Sequence, residues 1–164
     1  MAEITKVYKE CVDAKRFIGK KYSHEDGMHG GYGHKWGEWF QEGYFDVLEK
    51  LGDTGDGQIG LMTQQNGVFV YYIGYFMPPG TDAPEGYEYV DFPAGELGVS
   101  YVQGKDGEVY GHGKQCADKL VEAGILNRDW CISRGGWEFE RYVCPRFTTP
   151  DADGKIILDH CFYL

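Results

Sequence analysis

The chain has 164 residues, 42% of them apolar, and 26 acidic against 16 basic side chains give a formal charge of −10. That length supports one substantial hydrophobic core, so strongly acidic a surface repels a phosphate backbone and speaks against a nucleic-acid partner, and no apolar run approaches the ~18 residues that would cross a bilayer. Five scattered cysteines without a C-x-x-C pair argue for reduced thiols rather than a disulfide framework, and the absence of an apolar segment at the N-terminus makes the cytoplasm the expected compartment.

Residues 15–22, KRFIGKKY, read as a strand, and a Gly- and His-rich loop follows over 23–34. Residues 36–51 carry apolar side chains at Trp36, Phe40, Tyr44, Val47, Leu48 and Leu51, which is helical spacing, with Gly52 at the C-terminal stop. Residues 58–62 and 68–77 read as a hairpin turning at Asn66-Gly67. PPGTDAPEG at 78–86 is a linker. Beyond it, 87–92 and 96–102 are strand-like, 110–123 read as a second helix, and 137–143 and 155–164 as the last two strands.

The order therefore recurs. IGKKY at 18–22 echoes LGVSY at 97–101, and Trp36-Gly37 echoes Tyr110-Gly111, each opening a helix. The expectation is an α+β fold of two pseudo-symmetric β-α-β-β halves, about 15–77 and 87–164, forming a single domain over 1–164. Its antiparallel sheet carries the helices on one face, and the opposite face lines a central groove where the halves meet. The histidine loop is longer than its counterpart by five residues and reads as a lid over that groove.

The aromatic content is high, with 13 Tyr, 9 Phe and 4 Trp. Buried tyrosine hydroxyls need partners, so some of these rings are expected to line a cleft. In WEFERY, period-2 alternation sets Trp137, Phe139 and Arg141 on one face and Glu138, Glu140 and Tyr142 on the other. Glu140 either faces solvent or sits on the wall of a ring-lined cavity, where a desolvated carboxylate serves as a cation receptor or a general acid/base. His24, His29 and His34 stand five apart, a spacing that does not gather metal ligands on one face, so no metal is expected. GDTGDG and DADG lack the full ligand series of a calcium loop and read as turns. No nucleotide-binding or nucleophile-elbow motif occurs, and no cofactor is expected.

The duplicated order, the FPAGEL turn at 92–97, and WEFERY followed by KIILDHCFYL resemble the GyrI-like domain. That domain is the effector-binding part of some AraC- and MerR-type bacterial regulators and also occurs free-standing; KWGEWFQEGYFDVLEKLG at 35–52 resembles the free-standing members. The resemblance, over residues 15–164, implies an aromatic groove with a central acid that binds lipophilic cations, and Glu140 is the position corresponding to that acid. About 14 residues precede the first strand, too few for a helix-turn-helix, so direct DNA binding is not expected.

Three functions follow as expectations. The first is a receptor for hydrophobic, aromatic cations, with Glu140 as charge partner and Trp36, Trp39, Tyr71, Trp137 and Tyr142 as ring walls, joined by Tyr101 and Tyr110 through the echoes. The second is a hydrolase of cyclopropane-bearing or other strained electrophiles, which some free-standing relatives resemble, with Glu140 as general acid/base and Tyr71 polarising the electrophile. The third is a sensor that partners a separate regulator protein.

Overall fold

A computed structural model describes all 164 residues. The elements run β1 (Glu3–Val12), β2 (Lys15–Ser23), α1 (Gly33–Gln41), α2 (Tyr44–Glu49), β3 (Gln58–Gln65), β4 (Val68–Met77), β5 (Glu88–Phe92), β6 (Gly95–Lys105), α3 (Gly113–Glu122), β7 (Glu138–Tyr142) and β8 (Lys155–Tyr163). The strands form one sheet in the order β1-β6-β8-β7-β3-β4-β2-β5, with every neighbouring pair antiparallel. The fold class is α+β, as expected. No helix is long and apolar enough to cross a membrane.

Two features extend the expected β-α-β-β plan. The sequence EITKVYKECV, in which charges interrupt the alternation, was not expected to be a strand, yet it is β1 and pairs with β6 along its length. Strand β5 likewise pairs with β2. Each edge strand thus borders the half to which it is not directly joined. The inner pairings, β3-β4-β2 and β7-β8-β6, repeat the same connectivity, and β3 meets β7 at the centre.

The expected helix over 36–51 is two helices. Gly43 adopts φ +72°, a left-handed conformation that costs glycine nothing, and the chain turns there between α1 and α2. Trp39 of α1 and Phe45 and Leu48 of α2 bury themselves against Ile18, Ile73 and Tyr75 of the sheet. Helix α3 closes at Gly124, whose φ of +73° lets Ile125 N–H return to the Leu120 carbonyl. Its Cys116 and Leu120, four apart, pack on Val102, Leu158 and Phe162.

All three helices lie on one face. Contrary to the expectation from sequence, the opposite face does not line the groove: it is sealed. Phe92 on edge strand β5 stacks on Tyr163 of β8 with centroids 4.7 Å apart, and lies 5.2 Å from Trp137. Strands β5 and β8 are five positions apart in the sheet. At about 4.8 Å per strand a flat sheet would hold those rings more than 20 Å apart, so the sheet curls over this face. Phe17, Ile59, Leu61, Phe76, Leu97, Val99 and Phe139 fill the hollow.

The same hollow holds an ion cluster. Arg141 donates to Asp159 at 2.8 Å and to both oxygens of Glu10 at 2.9 and 3.1 Å, and Arg146 grips Asp159 at 2.7 Å. Asp159 is 0% exposed and the Arg141 side chain 5%. Burial alone would push the Glu10 carboxyl up, but the Arg141 hydrogen bonds and charge outweigh it and hold the group below its usual range. The cluster ties β1 to β7 and β8. Replacing Asp159 by Ala leaves two guanidinium groups short of their carboxylate and should cost about 3–5 kcal/mol in urea denaturation; a cost below about 1 kcal/mol would show that water reaches the cluster.

Candidate ligand-binding site

A cavity of about 640 Å³ opens on the helix face, where β3 and β7 run side by side between α1 and the turn ahead of α3. Neither helix covers this central pair. Gln58 and Met62 of β3, Phe69 and Tyr71 of β4, and Glu140 and Tyr142 of β7 form the floor. One wall is Tyr32, Trp36 and Phe40 with Gly30, Gly31 and Gly33; the other is Tyr110, Gly111 and Phe147. Glu140 is the single formally charged side chain among these.

Gly60 explains how the floor closes around the acid. It lies opposite Glu140 in the β3–β7 register. A Cβ at this glycine would come within 2.4 Å of the Tyr71 hydroxyl, so the phenol occupies the space that a side chain would take. Trp36 Nε1 donates to that hydroxyl at 2.9 Å, and the Tyr32 ring lies parallel on the Tyr71 ring, 4.3 Å away and tilted by 6°. The Trp36 ring also packs on Tyr142 at 4.7 Å. Tyr142 donates to Glu140 Oε2 at 2.5 Å, orienting the carboxylate along the floor.

Electrostatics follow from burial. Desolvation pushes the Tyr71 and Tyr142 hydroxyls well above the usual phenol range, and the Glu140 charge adds to it. Both therefore stay neutral and keep their protons. Tyr110 is raised as well, by burial first and then by Asp106 and Glu140. The Tyr71 oxygen accepts from the Trp36 indole and retains its own O–H to donate. An anionic floor ringed by π-faces is suited to a cation whose bulk is apolar.

Of the residues singled out in the sequence, Glu140, Trp36, Tyr71, Tyr110 and Tyr142 come together here. Trp36 and Tyr110, paired by their echo, line opposite walls. Three others, against expectation, do not reach the cavity. Trp39 is 0% exposed beneath α1, where its Nε1 donates to Tyr22 at 2.8 Å; it pins the helix to the sheet. Trp137 lies on the sealed face against Phe92 and Tyr72. Tyr101 shares that side of the sheet, edge-on to Tyr8 at 5.6 Å.

The reason for the Tyr101 error is register. The echo of 18–22 with 97–101 equates Ile18, which packs under the helices, with Leu97, which packs in the sealed hollow. A slip of one residue in a strand alignment reverses every side chain. The sequence reading also missed Tyr32, Phe69 and Phe147. Tyr32 belongs to the glycine-rich loop, whose Gly30, Gly31 and Gly33 border the cavity; its hydroxyl donates to the Ser23 carbonyl at 2.8 Å. Gly33 opens α1 where the loop ends. A phenol flanked by glycines was the available signal. His24, His29 and His34 are all exposed.

No protein-family model matches the sequence, and no curated protein matches it. Solved structures do. SAV2435 bound to tetraphenylphosphonium aligns with a TM-score of 0.65 and 17% identity over 97% of this chain and 93% of that one. A protein from Staphylococcus aureus MU50 assigned to bacterial transcription regulation gives 0.61 and 18%, covering 96% and 97%. The EcmrR C-terminal domain gives 0.59 and 10%, covering 96% of both chains. The chain therefore has the fold of these proteins, which is the fold that the resemblance to GyrI-like effector-binding domains implies.

Gly60→Ala tests the floor directly. The added methyl must displace Tyr71, which Tyr32 and Trp36 hold in place, so the variant should lose about 1–3 kcal/mol in denaturant titration and shift its tryptophan emission. Unchanged stability and emission would show that the Tyr71 ring moves freely.

Proposed function

We propose that the whole chain acts as one GyrI-like effector-binding domain and that its groove holds lipophilic cations, with Glu140 as the charge partner. The observation that carries this reading is the composition of the cavity: one carboxylate, no basic group, and aromatic rings on the floor and both walls. A cation over such rings gains ~0.5–2 kcal/mol per favourable contact, the upper end when water is excluded. Selectivity arises at Glu140. A neutral ligand of the same shape would strip water from the carboxylate without replacing the lost interaction, whereas a cation compensates it. An anion is repelled.

The preorganised polar groups support the same reading. The Tyr142 hydroxyl engages one carboxylate oxygen and leaves the other to the groove. The Trp36–Tyr71 hydrogen bond fixes two large rings at little entropic cost on binding. The complex of SAV2435 with tetraphenylphosphonium shows that a relative sharing this fold accommodates a bulky aromatic cation.

Titration of tetraphenylphosphonium against wild type and Glu140→Gln, followed by tryptophan fluorescence, tests the proposal. The amide retains size and removes charge, and the expected loss of affinity is about tenfold to a hundredfold. Equal affinity of the two proteins, or no binding to wild type, would refute the assignment.

A further inference from the structure

Next to the groove's acid stands a second ionisable pair that the binding reading leaves without a role. His160 of β8 lies directly across from Glu140 in the β7–β8 register, on the same face of the sheet. It is 6% exposed, and its Nε2 reaches Glu138 Oε2 at 3.3 Å. Glu138, two residues from Glu140, points to the same side of β7. We infer that this imidazole is a resident cation for Glu138 and for the groove's Glu140, and that a lipophilic cation entering beside Glu140 expels its proton. The inference rests on the reading of the groove as a cation site.

The surroundings leave His160 few alternatives. From β7 it meets Glu138 and Glu140; from β6 its register partner is the uncharged Ser100. From α3, a Cβ on Gly113 would come within 3.1 Å of the imidazole Cε1, so that glycine closes the helix down on the ring. The Cys116 thiol farther along α3 is pushed up to about 12 by burial and stays neutral. His112, at the start of α3, is turned to the Glu108 carbonyl at 2.8 Å. On its own strand the Phe162 ring lies 5.0 Å away. Burial pulls the His160 imidazole down, but the hydrogen bond and charge of Glu138, and then the charge of Glu140, outweigh it and hold the group above its usual value.

Two consequences follow. In the free protein the pair stabilises the fold fully below the ordinary histidine value, and this contribution is lost as pH rises through the raised one. For the ligand the sign is opposite. A protonated imidazole repels a second positive charge, so a cation binds best once the proton has left, and binding itself drives the proton out.

The experiment is tetraphenylphosphonium affinity between about pH 6 and pH 9, with proton release read by calorimetry in two buffers of different ionisation enthalpy. Wild type should gain on the order of tenfold in affinity across this range and release a fraction of a proton on binding, at a pH above the ordinary histidine value. His160→Gln should bind with a flat profile. Glu138→Gln, which removes the group holding the proton, should keep the step but move it to lower pH. A flat wild-type profile without proton release, or an unmoved step in both variants, would overturn the inference while leaving the groove a cation site. No binding at any pH would overturn both readings.

Discussion

The structure turns on one five-residue strand. In β7, Glu140 and Arg141 are adjacent in sequence, and the pleat sends them to opposite faces of the sheet. Arg141 enters a sealed hollow and is neutralised there by Asp159 and Glu10. Glu140 enters an open groove and has only a phenol as a direct partner. A slip of one residue would bury a carboxylate among Asp159 and Glu10 and present a guanidinium to the groove. The Arg141 cluster thus does more than hold β1 to the sheet: it locks the register that aims Glu140 outward.

The groove exists because the sheet buries its two faces by different means. On the sealed side the sheet curls until β5 meets β8, and rings fill the space. On the other side two helical layers, α1–α2 and α3, each cover one half of the sheet and leave the central pair β3 and β7 bare. Bare strands would be a liability if their side chains were aliphatic. Here they carry Gly60, Glu140 and Tyr142, and Tyr71 of β4 reaches over Gly60; both phenol hydroxyls are engaged, so the exposed floor is amphipathic and water can occupy it. The rings are braced against one another and need little rearrangement to receive a guest. The glycine-rich loop supplies a wall at the rim, where glycines let the backbone border the cavity without filling it.

Charge in the groove is also graded. Tyr71 and Tyr142 remain neutral donors because burial and Glu140 both oppose their ionisation. The Glu138–His160 pair lies one step farther along the same face. Together they place a carboxylate beside a group that can surrender a proton, which gives a small site two charge states.

Much of this was legible from residue order. Period-2 alternation in WEFERY separated Glu140 from Arg141, and helical spacing located Trp36 ahead of a glycine stop. The echo of Trp36-Gly37 with Tyr110-Gly111 found residues on both walls. What residue order could not supply was anything dependent on how far a sheet bends or which strands meet at a distance. The charged β1 strand is an edge held by pairing with β6, so its own pattern carries little signal. Trp39, Trp137 and Tyr101 have the same chemistry as the groove's rings, and only their place under a helix or inside the curl removes them from it. Local sequence determined which side chains share a face; tertiary structure alone decided which face is sealed and which receives a guest, because sheet curvature and edge exchange sum small twists and long-range contacts that no short stretch of chain contains.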